Sequence, residues 1–149
     1  MKIKRRAFIA WTAALGLAPW EPSSATPDEA AQAIRQIAGS SLIKNGRVTL
    51  QIPPLVENGN LVVLKVTVDS PMTPEDYVKA IHIVAEGNPL PNVISFYLGP
   101  RCGRADITTR VRLGDSQRIW AVAHMSNGLF FQGYAETLVT ASACTENLS

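Results

Sequence analysis

The sequence predicts an all-β chain: an immunoglobulin-like antiparallel β-sandwich with a short N-terminal helix behind a signal peptide. Three observations carry this expectation. Apolar residues recur with a period of two over much of residues 46–143. There are about seven or eight such runs, each short and bounded by Gly, Pro, Asn or Asp clusters. No internal repeat and no low-complexity tract interrupts them, and 149 residues suit one domain.

Residues 1–25 read as an export signal. MKIKRR supplies the basic start, and an apolar stretch over 7–18 follows. That stretch, about 12 residues, is too short to span a bilayer. Ser23-Ser24-Ala25 offers small residues at the positions a signal peptidase reads, so cleavage is expected after Ala25. Arg5-Arg6 followed by Ala7-Phe8-Ile9 resembles a twin-arginine (Tat) signal, with a general secretory signal as the alternative. The expected destination is a bacterial periplasm, an oxidising space where cysteines can pair. Residues 26–149 form the expected domain, with no membrane contact after cleavage.

Thr26-Pro27-Asp28-Glu29 opens a helix: Thr26 suits the N-cap, Pro27 the first turn, and Glu29 closes a capping box. Ala30, Ala33, Ile34 and Ile37 share one face, and Gly39 ends the helix. From Gly46 the period changes to two. A strand over 48–52 stops at Pro53-Pro54, because proline cannot donate to a ladder. Asn58-Gly59 turns the chain into a strand over 61–68, which Asp69-Ser70-Pro71 breaks. Further strands are expected over 77–85, 93–98 and 104–113, separated by the proline loop 88–92 and the turn 99–103. Ser126-Asn127-Gly128 reads as a hairpin turn between strands over 119–125 and 129–134. A last strand is expected over 135–143.

The formal charge of +2 is set by the leader. Removing residues 1–25 takes away four of the 14 basic and one of the 12 acidic residues, leaving a net −1. Such a chain lacks the basic excess that nucleic acid binding needs.

Few residues suggest chemistry. His82 and His124 have no cysteine or carboxylate at ligand spacing, so they read as strand histidines and no metal is expected. No nucleophile-elbow, zinc-protease, Walker or Rossmann pattern occurs, and no catalytic constellation or cofactor is expected. Asp69, Glu75 and Asp76 could be paired carboxylates, but a solvated loop explains them. Arg101, Arg104, Arg110 and Arg112 form the densest basic run, either a solvated face or an anion-attracting or partner-binding patch. The cysteines remain. Cys102 and Cys144 could form a disulfide worth about 4 kcal/mol in the chain-entropy model, or Cys144 could be a free, reactive thiol near the chain end.

Three long blocks resemble a known family. DSPMTPEDYVKAIHIVAEGNPLPNV (69–93), GPRCGRADITTRVRL (99–113) and DSQRIWAVAHMSNG (115–128) are similar to SoxY, the sulfur-carrier subunit of the periplasmic thiosulfate-oxidising (Sox) system. The resemblance implies an immunoglobulin-like sandwich paired with a second β-sandwich subunit, SoxZ, which rides through the Tat pore on its partner. It also implies a carrier, not an enzyme. A haem enzyme couples thiosulfate oxidatively to a near-C-terminal cysteine, and a dimetal enzyme then releases sulfate by hydrolysis. Cys144 aligns with that sulfur-attachment cysteine. In the family the cysteine sits in a Gly-Gly-Cys-Gly-Gly arm; here Ser142-Ala143 precede it and a tail from Thr145 to Ser149 follows. Fewer glycines narrow the arm's backbone freedom. Glu146 and the terminal carboxylate disfavour a neighbouring thiolate. Cys102 also departs from the family pattern. The alternative is a divergent SoxY-like binding subunit with Cys144 idle or bridged to Cys102.

Overall fold

A computed structural model describes residues 25–141. Most of the expected leader, and Cys144, lie outside the described residues.

The helix begins as its sequence dictates. In α1 (Pro27–Ala38), the Thr26 hydroxyl accepts from the Glu29 N–H and the Glu29 carboxylate accepts from the Thr26 N–H, completing the capping box. Gly39 closes the helix with a positive φ of 61°. Among the described residues nine strands follow: β1 (Ile43–Asn45), β2 (Val48–Gln51), β3 (Leu55–Val56), β4 (Val62–Val68), β5 (Val78–Ala85), β6 (Asn92–Tyr97), β7 (Ala105–Val111), β8 (Gln117–Met125) and β9 (Phe130–Val139).

They form two sheets. One has the order β1-β9-β8-β5-β6, with β3 also on β9; the other is β2-β4-β7. The expected sandwich is the observed fold. Leu64, Ile81, Ile83, Leu113, Ile119 and Met125 are fully buried between the layers. Alternation was readable wherever one face meets this core and the other meets water, as in β4. β5 reads as a nearly continuous apolar run because it is central and covered twice. Its inner face meets the core, and Val84 on its outer face packs with Val122, Phe130 and the helix residues Ala30 and Ile34.

The structure corrects three details. β9 is one strand, not two, because its register with β8 runs unbroken from Gln117↔Thr137 to His124↔Phe130. The tip between β8 and β9 is the expected Ser-Asn-Gly turn, with Gly128 at φ 83°. Two short strands, β1 and β3, had no readable alternation, and both pair in parallel with β9. The segment 99–103, expected only to turn, contains a 3-10 turn at Pro100–Cys102.

One position fixes how closely the sheets approach. A Cβ built on Gly133 would run into the backbone carbonyl of Val48, far inside van der Waals contact. β2 therefore lies directly on β9 at a point where only glycine fits. Gly133→Ala should destabilise the fold by about 3 kcal/mol, because the obstacle is backbone and cannot rotate away. In a thermal melt that is a fall in Tm of about 10 °C. Gly99→Ala, where a Cβ meets nothing within 4 Å, should melt with the unmodified chain.

Candidate functional site

β9 carries the chain toward Cys144, and its last residues are held on both sides. Leu138 and Val139 pair with Leu55 and Val56 of β3. The Leu138 N–H donates to the Pro54 carbonyl at 2.9 Å and the Thr140 N–H to the Val56 carbonyl at 3.0 Å. Toward β8, the Val139 N–H donates to the Ser116 hydroxyl at 2.9 Å. Thr137, the one buried polar residue among those described, donates its hydroxyl to the Pro53 carbonyl at 2.7 Å. The Ala141 carbonyl accepts from the Gly59 N–H at 2.9 Å, and the Gly59 carbonyl accepts from the Leu113 N–H at 2.9 Å. The local sequence explains this clamp. Pro53-Pro54 ends β2, offers carbonyls without competing donors, and hands the chain to β3 beside β9.

The strand register places Cys102 at the other end of the sandwich. Cys102 follows β6 near Lys79, whose carbonyl accepts from the Leu98 N–H, and precedes Ala105 at the start of β7. β7 then runs to Val111, beside Val62 and the Gly59 turn. The thiol of Cys102 is exposed.

The basic run divides the same way. Arg101 and Arg104 stay at the Cys102 end, whereas Arg110 and Arg112 reach the end where β9 leaves. Arg110 and Arg112 line a cleft of about 510 Å³ between the β5–β6 loop and the end of β7, with Leu90, Asn92 and Val93. Asn88 shapes that cleft: its amide donates to the Arg112 carbonyl at 2.8 Å and accepts from the Gly114 N–H at 2.9 Å.

His82 and His124, distant in sequence, lie on neighbouring strands with a two-residue offset, since His82 faces Val122 and Ala80 faces His124. His82 Nδ1 is 2.7 Å from the Ser95 hydroxyl, and His124 stacks on Phe130 at 4.3 Å. Burial lowers the pKa of His82, assisted by charge repulsion from His124. Burial also lowers that of His124, assisted by Lys79. Among the described residues no cluster of three metal-ligating side chains occurs. The acidic trio does not assemble around a shared site. Asp76 faces Arg47 at 4.0 Å, the Asp69 N–H donates to the Arg47 carbonyl, and the Glu75 carbonyl accepts from the Ser126 hydroxyl.

Sequence reasoning missed a cross-strand cluster on the outer face beside the exit of β9. Arg118 pairs with Glu136 at 2.6 Å and lies over the Tyr134 ring at 4.6 Å. The Trp120 indole N–H donates to Glu86 at 2.7 Å. The register that makes it, Arg118↔Glu136 and Trp120↔Tyr134, was the missing signal.

The family model for the sulfur oxidation protein SoxY matches residues 34–144. The chain belongs to the SoxY family. The sulfur carrier protein SoxY from Chlorobium limicola f thiosulfatophilum superposes with a TM-score of 0.65 at 24% identity, covering 77% of this chain and 99% of that one. A superoxide reductase (neelaredoxin) from Ignicoccus hospitalis superposes with a TM-score of 0.57 at 18% identity, over 83% of this chain and 99% of that one. A putative superoxide reductase from Thermotoga maritima gives 0.53 at 20% identity, over 69% and 89%. These structural likenesses establish the sandwich fold. A comparison with curated proteins finds no match.

Two outcomes are expected of this site. Thr137→Val leaves the Pro53 carbonyl unpaired and should cost about 1–2 kcal/mol. Amide hydrogen exchange at Leu138 and Thr140 should quicken in that variant. The lowered pKa of His82 means that the unfolded chain binds the proton more tightly. Stability is therefore full above about pH 6.5, the unfolded value, and is lost as pH falls from there toward the lowered folded value. His82→Gln should flatten the fall in denaturant midpoint between pH 7 and pH 5.

Proposed function

We propose that this SoxY-family chain carries sulfur-oxidation intermediates covalently on Cys144, in the periplasm after Tat export, as one half of a heterodimer with a SoxZ-like subunit. It holds the intermediate while other enzymes act on it. The observation that carries the reading is the clamped root of β9 combined with a family match that extends through residue 144. The backbone is hydrogen-bonded as far as the Ala141 carbonyl, and only Ser142 and Ala143 separate Ala141 from Cys144. Three residue steps allow the Cys144 Cα a reach of roughly 10 Å from a fixed point.

The chemistry follows. The Cys144 thiolate and thiosulfate join through a new S–S bond, giving an S-thiosulfonate and two electrons for a haem enzyme. Water then cleaves the S–SO3 bond, releasing sulfate and two protons and leaving a persulfide on Cys144. The carrier needs a nucleophilic sulfur, access and a fixed address.

The alternative, a bridge between Cys102 and Cys144, fits the geometry poorly. β7 alone separates the two ends of the sandwich by roughly 20 Å, and a disulfide needs Cα atoms within about 7 Å. A reach of roughly 10 Å from Ala141 leaves the pair short.

The partner reading rests on apolar side chains exposed beside the root. Leu55 and Leu138, register partners, are 57% and 61% exposed, and Leu61 is 66% exposed. Such a group favours a covering subunit. Among the described residues no helix is long and apolar enough to cross a membrane.

Intact mass of the periplasmic protein, taken without reductant before and after alkylation, tests the carrier reading. A reductant-labile sulfur adduct mapping to Cys144 is expected, and Cys144→Ser should abolish it while leaving heterodimer formation unchanged. Thiosulfate-dependent turnover retained in Cys144→Ser would sink the reading. A mass two hydrogens short, with no alkylation, would establish the bridged form instead.

A further inference from the structure

We infer that the cleft bearing Arg110 and Arg112 is a binding site for a small sulfur oxoanion, beside the root of the Cys144 arm. Three observations converge on it. The first is charge without a partner. Lys65 lies 3.2 Å from Asp106, Arg118 lies 2.6 Å from Glu136, and Arg47 lies 4.0 Å from Asp76. Among the described residues neither Arg110 nor Arg112 has a carboxylate at such a distance, and no hydrogen bond engages either guanidinium. Arg110 lies on β7 and Arg112 directly beyond its end, and both line the one cleft. Two cations gathered at one cleft favour an anion there.

The second observation is a shaped space. The cleft of about 510 Å³ is bounded by Leu90 and Val93 on one side and by the two arginines on the other. Asn92 also lines it, with no side-chain hydrogen bond among the described residues. Two planar donor forks and a carboxamide suit a tetrahedral oxoanion, whose oxygens accept bidentate hydrogen bonds. The apolar wall lowers the local dielectric and strengthens that attraction.

The third is its address. The Arg112 carbonyl is held by Asn88 at 2.8 Å, and the neighbouring Leu113 N–H donates to Gly59 at 2.9 Å. Gly59 in turn donates to the Ala141 carbonyl at 2.9 Å. The cleft and the arm root are thus joined by consecutive hydrogen bonds. Arg101 and Arg104, equally basic, stand at the far end of β7 and lack this address. The choice of sulfur oxoanions rests on the carrier reading; the unpaired cationic cleft does not.

The test uses the mature Cys144→Ser protein, which binds anions without forming an adduct. Thiosulfate and sulfate are titrated at fixed ionic strength, with chloride as the control, and backbone amide shifts are followed by NMR. Saturable shifts confined to 88–94 and 110–114 are expected for both oxoanions, absent with chloride. The double variant Arg110→Gln/Arg112→Gln, with its melt checked, should weaken binding about tenfold or more. Arg101→Gln/Arg104→Gln should leave it unchanged. If free anions fail but an adduct on the wild-type chain shifts the same amides, the occupant is the tethered oxoanion. Shifts in neither case, or shifts that survive the loss of both arginines, would overturn the site. The two readings fail separately. Thiosulfate binding without a Cys144 adduct removes the carrier role, and an adduct that shifts none of these amides, with free anions also silent, removes the cleft.

Discussion

The approach of β2 to β9 at Gly133 governs the rest of this molecule. Because residue 133 has no Cβ, the Val48 backbone can lie on the ninth strand itself rather than a side chain's depth above it. β2 is then already beside β9 when Pro53-Pro54 ends it. The chain need only step sideways to place Leu55 and Val56 along Leu138 and Val139. The Thr137 hydroxyl donates to the Pro53 carbonyl, and the Leu138 and Thr140 N–H groups donate to the Pro54 and Val56 carbonyls. A single missing methyl group thereby sets where the arm begins. With a larger residue the sheets would separate, β3 would lose its register, and the end of β9 would keep only its bonds toward β8.

What could be read from the sequence was whatever one strand decides alone. Period-two runs such as 62–68 marked strands because a buried face and a wet face alternate along them. The capping box marked the helix because its partners lie three residues apart. Cys144 stood out by position and by the blocks that resemble SoxY. The clamp was invisible because it joins Val56 to Thr140 and Pro53 to Thr137, more than 80 residues apart. β1 and β3 are too short to show a period, and a parallel partner leaves no turn between strands to announce it. The four arginines looked like one run because a sequence has no ends to a strand. Once β7 is extended, its length divides them into two pairs at opposite ends of the sandwich. The Trp120–Tyr134 and Arg118–Glu136 pairs were hidden for the same reason, since register alone brings them together.

The clamp and the altered arm act in the same direction. A carrier thiol trades reach against definition. Glycines on either side of the cysteine enlarge the set of backbone states and so the volume the sulfur explores. The two residues before Cys144 in this sequence are Ser and Ala rather than glycine, and the Ala141 carbonyl is held by the Gly59 N–H. In the proposed carrier, less entropy would then be lost when an enzyme takes the arm into its site. On the proposed carrier reading, a visiting enzyme would have to come to the end of the sandwich where β9 emerges, since three residue steps beyond Ala141 span only roughly 10 Å. That requirement gives the surroundings of the root a role that a longer arm would not need. Among the described residues, exposed Leu55, Leu61 and Leu138 and the cleft with Arg110 and Arg112 lie at this end, whereas the Cys102 end carries exposed Tyr97 and Leu129 beside Arg101 and Arg104. A short arm on a fixed root would need its recognition surface close by, and the topology does bring exposed Leu55, Leu61 and Leu138 and the Arg110–Arg112 cleft to the end where β9 leaves.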